Sequence, residues 1–495
     1  MSQYVMALDL GTTGNRAILF NKAGDIVGQA YKELTQHYPQ PGWVEHDAME
    51  IWQDVQWAMK TAIAEANISA EDIAAIGLTV QRETCLLWDK TTGEPLHKAI
   101  VWQDRRTAEM CGTLADHKAD IYERSGLFLD AYFSGTKLRW LLDKTQPANL
   151  DNVLAGTIDT WALWNLTGGQ VHATDHSNAS RTLLMNLATQ QWDDTLLNTF
   201  GVPRSLLAEI KPSQGIFGYT DPNLLGAKIP IAAILGDQQA ALFAHGCDRP
   251  GLLKCTYGTG AFLVAHTGSD IVRSNNQLLS TIGWTTAKDD GSYSLGYGLE
   301  GSMFTAGACI QWLRDGLQII DNAADSEPMA LSVEDNGGVY FVPALSGLGA
   351  PHWDMGARGA FLGITRGATK AHMVRAVLEA IANQAREVVT AINDDSGTPI
   401  TTLKVDGGAC HNNFLMQYQA DVLGIPVERP AVLDATAQGS AFAAGLAVGF
   451  WDDYTALVHS RKIDKTFEPG SGQAAAQENF VTWQRAVERA KGWIE

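Results

Sequence analysis

An apolar run at residues 229–235 ends in Gly236-Asp237-Gln238-Gln239, which sets a carboxylate where a buried strand stops and a helix begins. A carboxylate there can take the proton from a substrate hydroxyl, with Gln238 bonding a neighbouring hydroxyl. The plainer alternative is that Asp237 caps the helix. A second apolar run, residues 73–80, delivers Gln81-Arg82-Glu83-Thr84 to its end. Arg82 donates and Glu83 accepts, so the two suit a pair of diol oxygens, although a structural ion pair would use the same residues.

Three glycine-rich turns point to phosphate. The first, Asp9-Leu10-Gly11-Thr12-Thr13-Gly14-Asn15-Arg16, lies between apolar runs and reads as a hairpin. Its consecutive amides, the hydroxyls of Thr12 and Thr13 and the fork of Arg16 are donors to phosphate oxygens, and Asp9 is a candidate holder of hydrated Mg²⁺. An ordinary hairpin is the competing account. The second turn is Thr256-Tyr257-Gly258-Thr259-Gly260-Ala261, and the third is Asp406-Gly407-Gly408-Ala409, followed by Asn412 and Asn413. Together they suit a nucleotide gripped from two sides by backbone amides. A fourth pattern, Gly296-Tyr297-Gly298-Leu299-Glu300-Gly301, matches GxGxxG and raises a dinucleotide oxidoreductase as a weak rival. No Walker GxxxxGK[ST] and no HExxH occurs. With 15 Trp, 12 Tyr and 15 Phe in the chain, pattern alone singles out no aromatic residue.

These residues need a frame. Short apolar runs at residues 4–9, 73–80, 229–235, 339–342 and 403–405 read as buried strands. Helical periods run over residues 47–66, where Asp47 and Glu50 make a capping-box-like start, and over about 370–392, with Gly397 beyond. The class is α/β. Residues 5–20 and 252–266 both read as strand, Gly-Thr turn, strand, which predicts two halves built alike with a boundary near Gly246. Residues 467–472, FEPGSG, read as a linker before a C-terminal helix ending at Trp493.

The 495 residues suit two large domains, and 45% apolar with 18% charged residues make a folded chain. Lys and Arg number 36 against 55 Asp and Glu, a net −19 that disfavours nucleic acid as a partner. Six scattered cysteines without CxxC spacing read as reduced thiols. The start MSQYVMALDLGTTG has no basic leader, and no run of about 18 apolar residues occurs, so a cytoplasmic protein without membrane insertion is expected.

Fourteen segments in order then carry a resemblance over nearly the whole chain. Among them are ALDLGTTGNRA, PGWVEHDAMEIW, QRET, AIVWQDRRTAE, YFSGTK, TDHSNASRT, GDQQAALF, TYGTGAF and VDGGACHNNFLMQ. The chain resembles the glycerol kinases of the FGGY carbohydrate kinase family. The resemblance implies two actin-like (ribonuclease H-like) ATPase domains, 1–246 and 247–495, flanking a nucleotide cleft. It implies ATP-dependent phosphorylation of glycerol to sn-glycerol 3-phosphate, with Asp237 as general base. Arg82, Glu83, Tyr132 and Gln238 would bond the polyol, and Trp102 and Phe262 would cover its carbon side. Thr12, Thr13 and Arg16, with Gly258 and Thr259, would meet the nucleotide phosphates. Gly307, Gln311, Gly408 and Asn412 match positions around ribose and adenine, and Asp9 and Asp237 would serve Mg²⁺. A homo-oligomer, dimer or tetramer, fits the resemblance. The chain departs from it at Leu10, where Gln is usual, and at Asn15, where Ser is usual. Residues 221–228 hold one Gly where some bacterial members have a glycine-rich loop for fructose 1,6-bisphosphate, so that control is not expected. A non-enzymatic actin-like module, switching shape with ATP, is the second rival.

Overall fold

The structure is a computed structural model describing residues 3–494. Tyr4–Leu10 pairs antiparallel with Gly14–Phe20, which pairs antiparallel with Ile26–Glu33. Ile73–Val80 and then Pro230–Gly236 add in parallel on the other side of Tyr4–Leu10. The later half repeats this order. Leu252–Tyr257, Ala261–Gly268 and Tyr293–Met303 are successively antiparallel, and Thr402–Asp406 and Val427–Pro430 add in parallel beyond Leu252–Tyr257. The echo between the two Gly-Thr turns is therefore a duplicated five-strand order. Both copies lie in one 13-stranded sheet, joined by Gln214–Tyr219 and Leu279–Ala287. The joining strands pair at one position, Gln214 with Thr286.

The parallel strands are apolar almost throughout because both of their faces are covered. One cover crosses between the copies: helix Ala435–Ala447, late in the chain, packs on the first copy, where Ala437, Ala441 and Phe442 share a core with Val5, Ala7 and Leu235. Its approach requires two glycines. A Cβ on Gly77 would lie 2.0 Å from the Ser440 carbonyl, and one on Gly439 would lie 1.9 Å from that of Ala240. Helix Asp237–Ala244 is thus clasped by the later half while it carries Asp237 at its first position.

Several element limits differ from expectation. Helix Ala48–Ala66 is capped by Asp47, whose carboxylate accepts from the Met49 and Glu50 amides at 3.0 and 3.3 Å. The return half of the capping box is missing, because Glu50 bonds the amide and hydroxyl of Thr35 instead. The long helix runs Lys370–Ser396, four residues past the last apolar position, since its polar final turn needs no core contact. Phe467 closes strand Ile463–Phe467 and is buried, so it belongs to the sheet and not to a linker. The C-terminal helix is Gln473–Ala490, and Gly492 at φ 57° turns the chain before Trp493. The GxGxxG segment lies inside strand Tyr293–Met303 and opens no helix, which removes the dinucleotide reading. Its glycines clear neighbours: a Cβ on Gly296 would meet His266 at 2.3 Å, and one on Gly301 would meet Val388 at 2.3 Å. All six cysteines are free. Among the described residues no helix is long and apolar enough to cross a membrane.

Buried neutral histidines tie this fold to pH. His172 lies edge-on to Trp88 at 5.4 Å and donates to the Ala155 carbonyl at 3.1 Å, and burial pushes it from 6.5 down to about 4. Burial also holds His46 and His176 at about 4. A depressed histidine pKa means that the unfolded chain takes the proton first. The stability from His172, at most about 3 kcal/mol, is therefore intact above pH 6.5 and is lost as pH falls towards 4. His172→Phe should flatten the acid limb of a urea-denaturation series by about one proton. An unchanged slope would contradict the burial account.

Candidate active site

A cavity of about 410 Å³ opens where the two copies of the five-strand order face each other. Its lining includes Thr12, Thr13, Arg82, Glu83, Trp102, Tyr132, Asp237, Gln238, Gly258, Thr259 and Phe262. The structure thus brings together every residue expected at the polyol and the two Gly-Thr turns expected at phosphate.

Asp237 sits at the mouth of helix Asp237–Ala244 with 27% of its side chain exposed. It is not the helix cap: Gly236 holds that place, and among the described residues the Asp237 carboxylate accepts only from the adjacent Gln238 amide, at 2.7 Å, and lies 3.2 Å from Arg82 Nε. Arg82 and Glu83 are buried at the strand end. Glu83 takes φ 62°, a left-handed conformation that costs a non-glycine residue about 1–3 kcal/mol. It is held there by Ser134, which donates to its carbonyl at 2.8 Å, and by Arg181 Nε, which donates to its carboxylate at 2.7 Å. Gln238 gives its carbonyl to the buried Lys254 Nζ, leaving its own NH₂ for the cavity. The aromatic wall is edge-to-face, with Trp102 at 5.5 Å from Tyr132 and 6.0 Å from Phe262.

The first turn is held with its carbonyls turned in. Gly11 O accepts from Gln81 Nε2 at 3.2 Å, Thr12 O from Gln36 Nε2 at 2.9 Å and Thr13 O from the Leu34 amide at 3.0 Å. Among the described residues the amides of Thr12 and Thr13 donate to no protein group, which leaves them for an anion. In the second turn Gly258 O accepts from the Gly307 amide at 2.9 Å, and Thr259 O accepts from the Ala306 and Ala308 amides at 2.8 and 3.0 Å. Gly307 therefore shapes the turn from beneath. A Cβ there would lie 2.6 Å from Gly258 O.

The remaining expected residues lie apart from this cavity. Arg16 is ion-paired with Asp434 and, at 3.4 Å, with Asp9. Asp9 is buried beside Thr436 Oγ1 at 3.1 Å. Burial raises its pKa, opposed by Arg16 and Thr436 and reinforced by Asp237 and Asp434. Gly408 and Asn412 line a second cavity of about 410 Å³ with Ile310, Pro328 and Ala409. Asn412 also caps helix Asn413–Leu423 through the Leu415 amide. Gln311 is exposed on helix Gly307–Asp315, next to Ile310.

Residues 4–244 match the N-terminal domain, and residues 253–448 the C-terminal domain, of the FGGY family of carbohydrate kinases. The glycerol kinase of Acaryochloris marina is 72% identical over 99% of this chain and 99% of its own length. That of Trichormus variabilis is 69% identical over 100% of this chain and 99% of its own. The chain belongs to the FGGY family of carbohydrate kinases. Among solved structures, Plasmodium falciparum glycerol kinase with ADP is similar at a TM-score of 0.90 and 34% identity over 98% of each chain. The α/β, actin-like fold is shared with it.

In this FGGY kinase, sequence reasoning missed three charged side chains. Glu300 accepts from Arg82 Nη1 and Nη2 at 2.5 and 2.9 Å and from Arg181 Nη2 at 3.0 Å, with none of these side chains more than 2% exposed. Lys254 is the third, buried between Gln238 and Thr256. A detectable signal existed: Glu300 and Lys254 are each an ionisable residue inside an otherwise apolar or small-residue strand. Although burial pushes Glu300 up, Arg181 and Arg82 hold it at about 2. Burial raises Glu83, and Arg181 and Arg82 only partly offset it. Glu300→Gln would leave two buried guanidiniums short of one negative charge. Chemical denaturation should show a loss of roughly 3–5 kcal/mol, and a loss under about 1 kcal/mol would mean that the cluster is not load-sharing in this way.

Proposed function

We propose that the protein transfers the γ-phosphoryl group of ATP to a terminal hydroxyl of glycerol, giving sn-glycerol 3-phosphate, with Asp237 as general base. The observation that carries this reading is the common cavity. Asp237 shares one space with the two carbonyl-tied turns and with an aromatic wall opposite Arg82 and Glu83. The relatives named glycerol kinase at 72% and 69% identity support the acceptor.

The chemistry follows from placement. The free amides of Thr12 and Thr13 face a triphosphate and neutralise charge as it spreads over the transferring group. Asp237, beside Arg82, takes the acceptor proton late in a loose transition state, where a strong base is not needed. Arg82 Nε, Glu83 and the Gln238 NH₂ orient the hydroxyls, and Trp102 and Phe262 cover the carbon side. The second cavity, with Gly408 and Asn412, takes the nucleoside end. Arg16, already paired with Asp9 and Asp434, balances the carboxylates near the turn and reaches phosphate only by loosening Asp434. The division into 1–246 and 247–495 is supported by the duplicated strand order, with helix Ala435–Ala447 as the segment that crosses it.

The residues fit Mg²⁺. Asp9 and Asp434 pair with Arg16, and the Asp9 carboxyl is raised in part by Asp237 and Asp434, which places Asp237 within electrostatic reach of Asp9. Among the described residues no three acidic, His or Cys side chains converge on a cation, so Asp9 and Asp237 would hold it with the phosphates of ATP and water. When bound, the ion neutralises β- and γ-phosphate oxygens.

Asp237→Asn should keep ATP binding by calorimetry and lose at least about 10²-fold in kcat; near-normal turnover removes the base role. A coupled assay of ADP release over glycerol, dihydroxyacetone, ribulose and xylulose should give glycerol the highest kcat/KM. A pentulose ahead of glycerol would replace the acceptor while leaving the phosphoryl transfer in place.

A further inference from the structure

The tied carbonyls of the first turn belong to a closed circuit of hydrogen bonds. Trp102 Nε1 donates to Thr12 Oγ1 at 2.9 Å, and the Trp102 amide donates to Thr84 Oγ1 at 3.2 Å. Thr84 Oγ1 donates to Gln81 Oε1 at 3.1 Å. Gln81 Nε2 meets both Gly11 O and His46 Nδ1, each at 3.2 Å. His46 Nε2 meets Gln36 Oε1 at 2.9 Å, and Gln36 Nε2 returns to Thr12 O at 2.9 Å.

The direction of every proton in this circuit is determined. The Gln36 NH₂ faces two carbonyls, Thr12 O and Leu34 O, so its oxygen must face His46 and accept. His46 therefore carries its proton on Nε2, and Nδ1 accepts from Gln81, whose second N–H goes to Gly11 O. His46, Gln81 and Thr84 are 0–1% exposed, so water does not substitute for a missing partner. A charged imidazolium would break the order by turning Nδ1 into a donor.

We propose that His46 is a positioning residue that closes this circuit and thereby couples the phosphate-binding turn to Trp102, making the polyol and nucleotide subsites one cooperative unit. The proposal rests on the functional reading above. A polyol against Trp102 fixes the indole, the indole fixes Thr12 through its ring N–H, and the Thr84–Gln81–His46–Gln36 arm fixes the Gly11 and Thr12 carbonyls from behind. The amides of Thr12 and Thr13 then face the cleft with less freedom to lose when a triphosphate arrives. By thermodynamic reciprocity the nucleotide tightens the polyol by the same factor. His46 touches neither ligand: its two ring nitrogens are committed to Gln36 and Gln81.

The test is calorimetric titration of the full-length protein with the Mg²⁺ complex of the β,γ-imido analogue of ATP, without glycerol and with saturating glycerol. The wild type should bind the analogue at least about fivefold more tightly with glycerol present. His46→Phe, which keeps the ring but neither nitrogen, should reduce that factor below about twofold. Thr84→Val, nearly isosteric, cuts the same arm elsewhere and should do likewise. The double variant should lose no more coupling than either single one, because both cuts lie in series. A loss of fold by His46→Phe, read from its melting curve, leaves Thr84→Val to decide. Glycerol binding with wild-type coupling in the folded variants overturns this proposal alone, as does a wild type without coupling. No glycerol binding by the wild type overturns the substrate reading and the proposal with it.

Discussion

Arg82 and Arg181 share a dry compartment with Glu83 and Glu300, and the geometry of the cleft depends on that compartment. Glu300 comes from the later copy of the five-strand order, while the other three come from the earlier half of the chain. A buried ion cluster contributes little net stability, because desolvation consumes most of the Coulomb attraction. What it supplies is alignment. Glu300 takes both terminal nitrogens of Arg82, which fixes the plane of the guanidinium and leaves Nε 3.2 Å from the Asp237 carboxylate. The cluster therefore fixes where the Arg82 side chain stands beside Asp237.

The same compartment explains a strained residue. Glu83 holds a left-handed backbone because Arg181 pulls its carboxylate and Ser134 its carbonyl from opposite sides. The strain turns the chain sharply after Val80, so Glu83 lines the cavity while Gln81, two residues earlier, reaches back beneath the phosphate turn. One strand end thus serves both subsites.

Legibility in the sequence followed the range of the interactions. Asp237 and the Arg82–Glu83 pair were readable because each follows an apolar run, and the two Gly-Thr turns were readable because local flanking runs made them hairpins. Glu300 showed only as an ionisable residue inside an apolar or small-residue strand and Arg181 not at all, and their pairing was not readable, since the partners lie 98 to 218 residues away. The GxGxxG spacing misled for a related reason. Glycines that clear His266 and Val388 across a sheet look, in one dimension, like glycines that clear a pyrophosphate. Trp102, Tyr132 and Phe262 entered only through family resemblance. Their meeting edge to face depends on two loops of the earlier half and on strand Ala261–Gly268 of the later half.

The proposed reading asks an acidic chain to handle a polyanion, and on that reading the turns would resolve the conflict without basic residues. At net −19 the far field repels ATP, but a field screened beyond about 8–10 Å matters less than what lies within hydrogen-bond reach. There the protein presents amide dipoles whose partner carbonyls are already occupied behind them. An occupied carbonyl cannot rotate outward to meet the phosphate, so the turn has one polarity to offer. The proposed acceptor, glycerol, being neutral, gives no comparable electrostatic signal, and water would compete with it for the same phosphoryl group. Discrimination must then come from surface that water cannot cover. On the proposed reading the Trp102, Tyr132 and Phe262 wall would supply it, and the direct indole N–H to Thr12 would make phosphate alignment respond to the presence of a carbon skeleton. An acceptor site wired in this way would disfavour hydrolysis through contacts already made in the structure.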